Sequence, residues 1–297
     1  MDPRVAIITR TKNRPLLLRW ALESVTNQTF SDWIHVIVND GGAPAAVDKL
    51  VAAAAKRYAG RCRVIHQATS RGMEAASNAG LRASASRYVV IHDDDDTWHP
   101  EFLQKTVQFL ETEKTIPGLA GVITYVERII EKIQDDRITT IRREDFTARP
   151  DAGLLFRMLG GNTFPPIAFV YQRDVLDTIG YYREDLPVLG DWEFNVRFLQ
   201  TYDIGVIRER LAYYHYRPAA TTTNYDNSVV DADDKHLLYG VLLHNEWLRQ
   251  DLKSGRVGIG VVSNLARELR PVNARLEHLT RAKKGLAQRI FGGKTPR

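Results

Sequence analysis

The chain has 297 residues, 44% hydrophobic and 26% charged, which is enough to bury a full core, and no apolar run is long enough to cross a bilayer. One cysteine, Cys62, excludes an intramolecular disulfide framework and fits a reducing compartment, and without a charged-then-apolar leader a cytoplasmic location is expected. The net charge of +5 is uneven: nine Lys/Arg and two Glu leave residues 265–297 at +7 and the rest at −2, which argues against a nucleic-acid-binding body.

Taken in order, Val5-Ala6-Ile7-Ile8 reads as a short buried strand that ends in the polar run Thr9-Arg10-Thr11-Lys12-Asn13-Arg14-Pro15. A helix is expected over 15–26, with Leu16, Leu17, Trp20, Ala21 and Ser24/Val25 on one face. Residues 33–38 form a second strand, closed by the turn signal Asn39-Asp40-Gly41-Gly42. An Ala-rich helix over 47–59, a third strand at Arg63-Val64-Ile65-His66 and a helix over 72–85 follow. A fourth strand then delivers Asp93-Asp94-Asp95-Asp96-Thr97-Trp98-His99-Pro100. Strict alternation of strand and helix implies a doubly wound, mostly parallel sheet, in which strand ends meet along one crevice.

Four adjacent carboxylates need a counter-charge, and clustered hard oxygens suit Mg²⁺ or Mn²⁺. The competing reading is a solvated loop with Asp96 or Thr97 capping the next helix. Polar residues at three strand ends, Thr9/Arg10, Asn39/Asp40 and 93–96, favour a binding site. The chain has neither G-x-G-x-x-G after its first strand nor G-x-x-x-x-G-K-[ST], so dinucleotide redox and P-loop chemistry lack their signatures.

Four pieces in order carry a resemblance. They are Ile8-Thr9-Arg10-Thr11-Lys12-Asn13-Arg14-Pro15, Val38-Asn39-Asp40-Gly41-Gly42, Arg71-Gly72 with Ala76-Ser77-Asn78-Ala79-Gly80, and the Asp93–Pro100 stretch. Together they resemble the family 2 glycosyltransferases of the GT-A fold. The resemblance implies that Thr9, Arg10, Asn13, Asn39 and Asp40 hold the nucleoside, with Arg71 and Asn78 near the donor. It implies that Asp93-x-Asp95 is a D-x-D motif, in which Asp95 ligates Mn²⁺ or Mg²⁺ and Asp93 lies near the ribose or a metal-bound water. Asp94, between them, is counted with the nucleotide-sugar contacts. Two departures stand out: Asn39 replaces the usual Asp, and Ser77 the usual Arg.

The second half is less regular. A strand at 119–124, a hairpin over 126–141 turning at Gln134-Asp135-Asp136, a strand at 167–171 and a short helix over 173–179 are expected. Leu189-Gly190-Asp191-Trp192-Glu193-Phe194 opens another helix. By spacing, Asp191 is an N-cap. By resemblance it is the general base of an acceptor-side motif usually written Glu-Asp, here with Gly190 in place of the Glu and with Arg197 following; Glu193 is the fallback. Strand pieces at 204–207 and 211–217 bring His215, which related enzymes place near the metal or diphosphate, and Arg217, a candidate diphosphate contact. Residues 221–227 have the polar character of a loop closing over a donor. Helical patterns follow at 237–252 and from 265, the latter basic and amphipathic, which fits either a homodimer contact or an anionic membrane surface.

The expected organisation is a catalytic domain over 1–218, divided into a donor half (1–118) and an acceptor half (119–218). A loop and helical extension (219–264) and a basic tail (265–297) complete it. The expected activity is a metal-dependent, inverting transfer from a nucleotide-diphosphate sugar to a saccharide or lipid-linked saccharide in surface polysaccharide biosynthesis. A sugar nucleotidyltransferase and a non-catalytic nucleotide-sugar or glycan binder are the alternatives. The first should show a Gly-rich loop after strand one, and the second should lack the base.

Overall fold

The computed structural model describes residues 2–135, 137–147, 153–218, 233–263, 265–267 and 269. Strand and helix alternate through the first half as β1 (Val5–Thr11), α1 (Pro15–Thr26), β2 (Trp33–Asp40), α2 (Pro44–Ala53), α3 (Ala55–Tyr58), β3 (Cys62–Gln67), α4 (Met73–Arg82) and β4 (Tyr88–Asp93). These strands lie in the order β3-β2-β1-β4, all parallel. Val5 is in register with both Trp33 and Tyr88, so the three polar strand ends come level at one edge. Val5, Ala6, Ile7 and Ile8 are wholly buried, as expected of a parallel strand covered on both faces.

Helix α1 starts on Pro15, where the missing N–H costs nothing. It buries Leu17, Leu18, Ala21, Leu22 and Val25, whereas Trp20 is 47% exposed, so the buried stripe is rotated from the expected one. Helix α4 approaches β1 closely at Gly80, where a Cβ would stand 2.3 Å from Ile8 Cγ2. Gly80→Ala is expected to cost about 1–3 kcal/mol through overpacking, read as a lower urea midpoint at unchanged slope.

Beyond β4 come β5 (Thr97–Trp98), α5 (Phe102–Thr112), β6 (Leu119–Gln134), β7 (Arg137–Thr147), α6 (Leu155–Leu159), β8 (Phe169–Gln172), α7 (Val175–Ile179), α8 (Gly190–Leu199), β9 (Asp203–Tyr216) and α9 (Asp233–Lys253). The sheet continues as β4-β8-β6-β9-β5. Here β8 runs antiparallel to β4 and β6, β6 and β9 are parallel, and β7 pairs back on β6. The expected pieces at 119–124 and 126–134 are one 16-residue strand, and those at 204–207 and 211–217 merge into the 14-residue β9. Register shifts between Thr124 and Val126 absorb the mismatch that made each look like two. The architecture is the expected α/β GT-A type, mostly parallel in the half that forms the crevice.

The chain divides into two compact units, Met1–Tyr239 and Gly240–Arg297. The expected boundary at 218/219 and the loop at 221–227 border or fall on residues outside the description, as do residue 136 of the hairpin turn and positions 268 and 270–297 of the basic tail. Among the described residues no helix is long and apolar enough to cross a membrane.

Candidate active site

A cavity of about 840 Å³ opens where the parallel strands end. Arg10, Asn13 and Arg14 reach it from β1 and the following loop, Asp40 from β2, Asp93 from the end of β4, Asp94 and Asp95 from the turn after it, Glu74 from α4 and Asp191 from α8. Ligands of open α/β sheets bind at this edge because chain reversals there leave side chains and backbone N–H groups free to point outward.

The four aspartates do not act as one group. Asp93 is the last residue of β4, and its Oδ1 accepts from Arg10 Nε at 2.9 Å and Nη2 at 2.6 Å. Asp94 accepts from Thr11 Oγ1 at 2.6 Å, with Arg14 Nη1 at 3.4 Å. Asp95 pairs with Arg217 and lies 3.5 Å from Arg14 Nη1. Asp96 turns away from the cavity: its Oδ1 accepts from the His215 backbone N–H at 2.9 Å, and its Oδ2 is buried with no hydrogen-bond partner. The capping alternative is not realised, since Thr97 enters β5 and α5 starts at Phe102 after Glu101. Burial, opposed by Arg14 and reinforced by Asp95, pushes Asp94 up to about 6. Burial and then Asp95 and Asp93 raise Asp96 well above the usual carboxylate range.

At the end of β2, Asp40 accepts from Ser70 Oγ at 2.6 Å, Arg71 N–H at 2.7 Å and Gly72 N–H at 3.1 Å. Gly41 (φ +72) lets this turn close, because a Cβ there would stand 2.4 Å from Ser70 N. Asn13, itself at φ +54, accepts from Ala43 N–H at 2.9 Å and ties the β1 loop to the β2 loop.

Across the cavity, Asp191 sits in the first turn of α8, after the left-handed Leu189 that caps the helix. Asn162 Nδ2 donates to its Oδ2 at 2.7 Å. Burial raises its pKa, against the Trp192 N–H and the Arg10 charge. A helix N-terminus favours the ionised carboxylate, but desolvation wins here, and a partly desolvated carboxylate is a stronger base. Glu193, the fallback, is buried against Arg197 at 2.7 and 2.8 Å and does not line the cavity. Arg197 also donates to the Tyr181 carbonyl at 2.9 Å, so this pair anchors the helix.

Several expected site residues lie outside the cavity lining. Thr9 is buried with its hydroxyl 2.7 Å from His35 Nε2. Asn39 folds onto its own turn, with Nδ2 donating to the Gly42 carbonyl at 2.8 Å. Asn78 is buried and binds the Tyr182 carbonyl and Glu184 Oε1, both at 2.9 Å. The Arg71 side chain is exposed beside Glu184, and only its N–H reaches the site, through Asp40. His215 was expected at the metal, but its Nδ1 lies 2.5 Å from Glu131 Oε1 and its Nε2 2.7 Å from Thr97 Oγ1. Arg217 stands behind the wall, buried between Asp95 and Glu131.

The cavity also recruits residues the sequence reading passed over. Glu74, Asn162, Phe164 and a wall of Arg128, Phe146, Tyr214 and Tyr216 all line it. Phe146 and Tyr214 ring centroids are 5.1 Å apart, and the Arg128 guanidinium lies 4.7 Å from the Phe146 centroid. Alternation along β9 put Tyr214 and Tyr216 on one face, which was a readable signal. Phe146, some seventy positions away on β7, offered none.

The family profile described as Glycosyl transferase family 2 matches residues 6–179, more than half of the chain. The chain belongs to that family. It is a family 2 glycosyltransferase, which retires the nucleotidyltransferase and non-catalytic alternatives. A Bacillus subtilis protein described as the uncharacterized glycosyltransferase YwdF is 25% identical over 236 residues, covering 80% of this chain and 81% of that one. Among solved structures, S. aureus TarS 1–349 superposes with a TM-score of 0.57 at 18% identity, over 71% of this glycosyltransferase and 60% of that chain. The mannosyltransferase PcManGT of Pyrobaculum calidifontis, solved with GDP-Man and Mn²⁺, gives 0.51 at 18% identity over 72% of this chain and 57% of that one. This glycosyltransferase therefore spans less than two thirds of either solved chain. The likeness establishes the GT-A fold.

Proposed function

We propose that this glycosyltransferase uses a nucleotide-diphosphate sugar and a divalent metal, and transfers the sugar with inversion to a saccharide or lipid-linked saccharide. The observation that carries the reading is the single cavity shared by Asp93 and Asp95 on one wall and Asp191 on another. TarS has been solved with UDP and with UDP-GlcNAc, and PcManGT with GDP-Man and Mn²⁺, which supports a nucleotide-sugar donor here.

Among the described residues no three metal-capable side chains converge, so a closed protein cage for a cation is missing. Mg²⁺ and Mn²⁺ sites need only one or two carboxylates when phosphate oxygens complete the shell. Asp95 and Asp93 fit that pattern: both line the cavity, and Arg10 bonds only one oxygen of Asp93. His215 leaves the candidate metal set because both ring nitrogens have partners. When bound, the metal would supply positive charge to the diphosphate as it departs.

The chain's own residues do the rest. Asp191 takes the proton from an acceptor hydroxyl as that oxygen forms a bond to the anomeric carbon. The bond from that carbon to the diphosphate oxygen breaks, and the nucleoside diphosphate leaves with the electron pair. Asn162 orients Asp191, and Arg10 and Arg14 fix Asp93 and Asp94. The aromatic wall suits the apolar face of an acceptor sugar. The basic tail supports a cytoplasmic enzyme that meets a lipid-linked acceptor at an anionic membrane, within surface polysaccharide biosynthesis.

A thermal-shift panel of UDP, GDP, dTDP and CDP, each with and without Mn²⁺, tests this reading. One nucleotide at about a hundred times its Kd should raise the Tm by about 5 °C, and only with metal. No shift for any nucleotide, with or without Mn²⁺, would overturn the donor and metal assignments together.

A further inference from the structure

The carboxylates lining the cavity differ in how fully they are used. Asp40 accepts three hydrogen bonds, Asp93 and Asp94 are held by Arg10, Arg14 and Thr11, Asp95 by Arg217, and Asp191 by Asn162. Glu74 lines the cavity at only 4% exposure, and its buried Oε2 makes no hydrogen bond, having only the Arg10 guanidinium at 3.6 Å. A buried carboxylate oxygen without a donor is costly, and at a cavity wall the cost is recovered when a ligand donates to it.

Its place is specific. Arg10 Nη1 lies 3.6 Å from Glu74 Oε2, and the same guanidinium holds Asp93. On the other side Glu74 packs on Gly190, the residue before Asp191: a Cβ at position 190 would stand 2.5 Å from Glu74 Cγ and Cδ and 2.6 Å from Oε1. Arg10 Nη1 also donates to Ser77 Oγ at 3.2 Å. Two of the three positions that depart from the family pattern, Ser77 and Gly190, therefore abut one ion pair, whereas Asn39 lies on its own turn. A carboxylate and a guanidinium stand there, but they are carried by α4 and β1.

We propose that Glu74 is the sugar-reading residue of this enzyme, accepting a hydrogen bond from a hydroxyl of the transferred sugar between Asp93 and Asp191. This rests on the nucleotide-sugar reading above. In that reading the diphosphate lies at Asp93 and Asp95 and the acceptor oxygen at Asp191, so the group bridging them is the sugar ring. A ring presents hydroxyl donors, which a carboxylate accepts and a neutral apolar wall does not. Burial outweighs the Arg10 charge and pushes the Glu74 carboxyl up to about 7, and its side chain packs on Gly190.

The test compares a nucleoside diphosphate with its sugar conjugates by calorimetry in Mn²⁺: UDP against UDP-glucose and UDP-GlcNAc, and GDP against GDP-mannose. In the wild type one conjugate should bind more tightly than its parent nucleotide. Glu74→Ala should weaken that conjugate about tenfold, as expected for the loss of one buried hydrogen bond, while the parent nucleotide stays within about threefold. Glu74→Gln keeps the shape against Gly190 and covers the case in which the alanine variant does not fold. Gly190→Glu alone should be unstable from overlap with Glu74, whereas Glu74→Ala/Gly190→Glu should regain conjugate affinity by returning a carboxylate to the same space. Conjugate binding unchanged in Glu74→Ala and Glu74→Gln overturns this proposal alone. A wild type that binds none of UDP, GDP, dTDP and CDP overturns the donor reading and this proposal with it.

Discussion

Asp191→Asn is expected to lower sugar transfer by about 10²- to 10⁴-fold and to leave metal-dependent nucleotide binding within about threefold of wild type. The substitution keeps the size of the side chain and its place beside Asn162, 2.7 Å away, while removing the carboxylate proposed to take the acceptor proton. Burial raises the pKa of Asp191, so the base is protonated further up the pH scale than an exposed aspartate. Transfer should therefore rise with pH through an acid limb displaced upward, and that limb should vanish in the variant. Glu193→Gln is the control. It loosens Arg197 and lowers the Tm, but its activity per folded molecule should keep the wild-type pH profile. Transfer by Asp191→Asn within tenfold of wild type would remove Asp191 from the role of base.

Asp95→Ala should abolish measurable transfer, by about 10³-fold or more, together with the metal-dependent part of the nucleotide shift. Two effects are mixed in that variant and can be separated. Arg217, whose side chain is 1% exposed, would keep only Glu131 at 3.4 Å among its named carboxylate partners, and breaking a buried pair costs about 3–5 kcal/mol. Asp95→Asn keeps the volume and a hydrogen-bond acceptor for Arg217 while losing the negative charge. It should stay folded and still lose the Mn²⁺-dependent shift. Asp96→Asn is the contrast, since Asp96 faces His215 N–H and not the cavity; it should bind nucleotide and metal normally. A normal metal-dependent shift in Asp95→Asn would show that Asp95 does not hold the cation.

What the sequence alone determined follows from short-range physics. Apolar β-branched runs ended by polar residues located β1, β2 and β4, and alternation with helices made those ends converge, so Arg10, Asp40 and Asp93 to Asp95 were readable as one site. The four motif pieces were enough to recognise the family because they are local in sequence. Tertiary structure decided everything that depends on distant partners. It split the aspartates, since whether a carboxylate faces the cavity depends on Arg217 and His215, more than a hundred positions away. It withdrew His215 by pairing it with Glu131, and it joined Phe146 to Tyr214 across strands β7 and β9. It also showed Asp191 to be a desolvated carboxylate on the cavity wall and not the helix cap, which is Leu189. Above all it explained Gly190, which in sequence is a missing glutamate: packing from α4 fills the vacated volume with Glu74, and no one-dimensional pattern records which side chain occupies a space left by another.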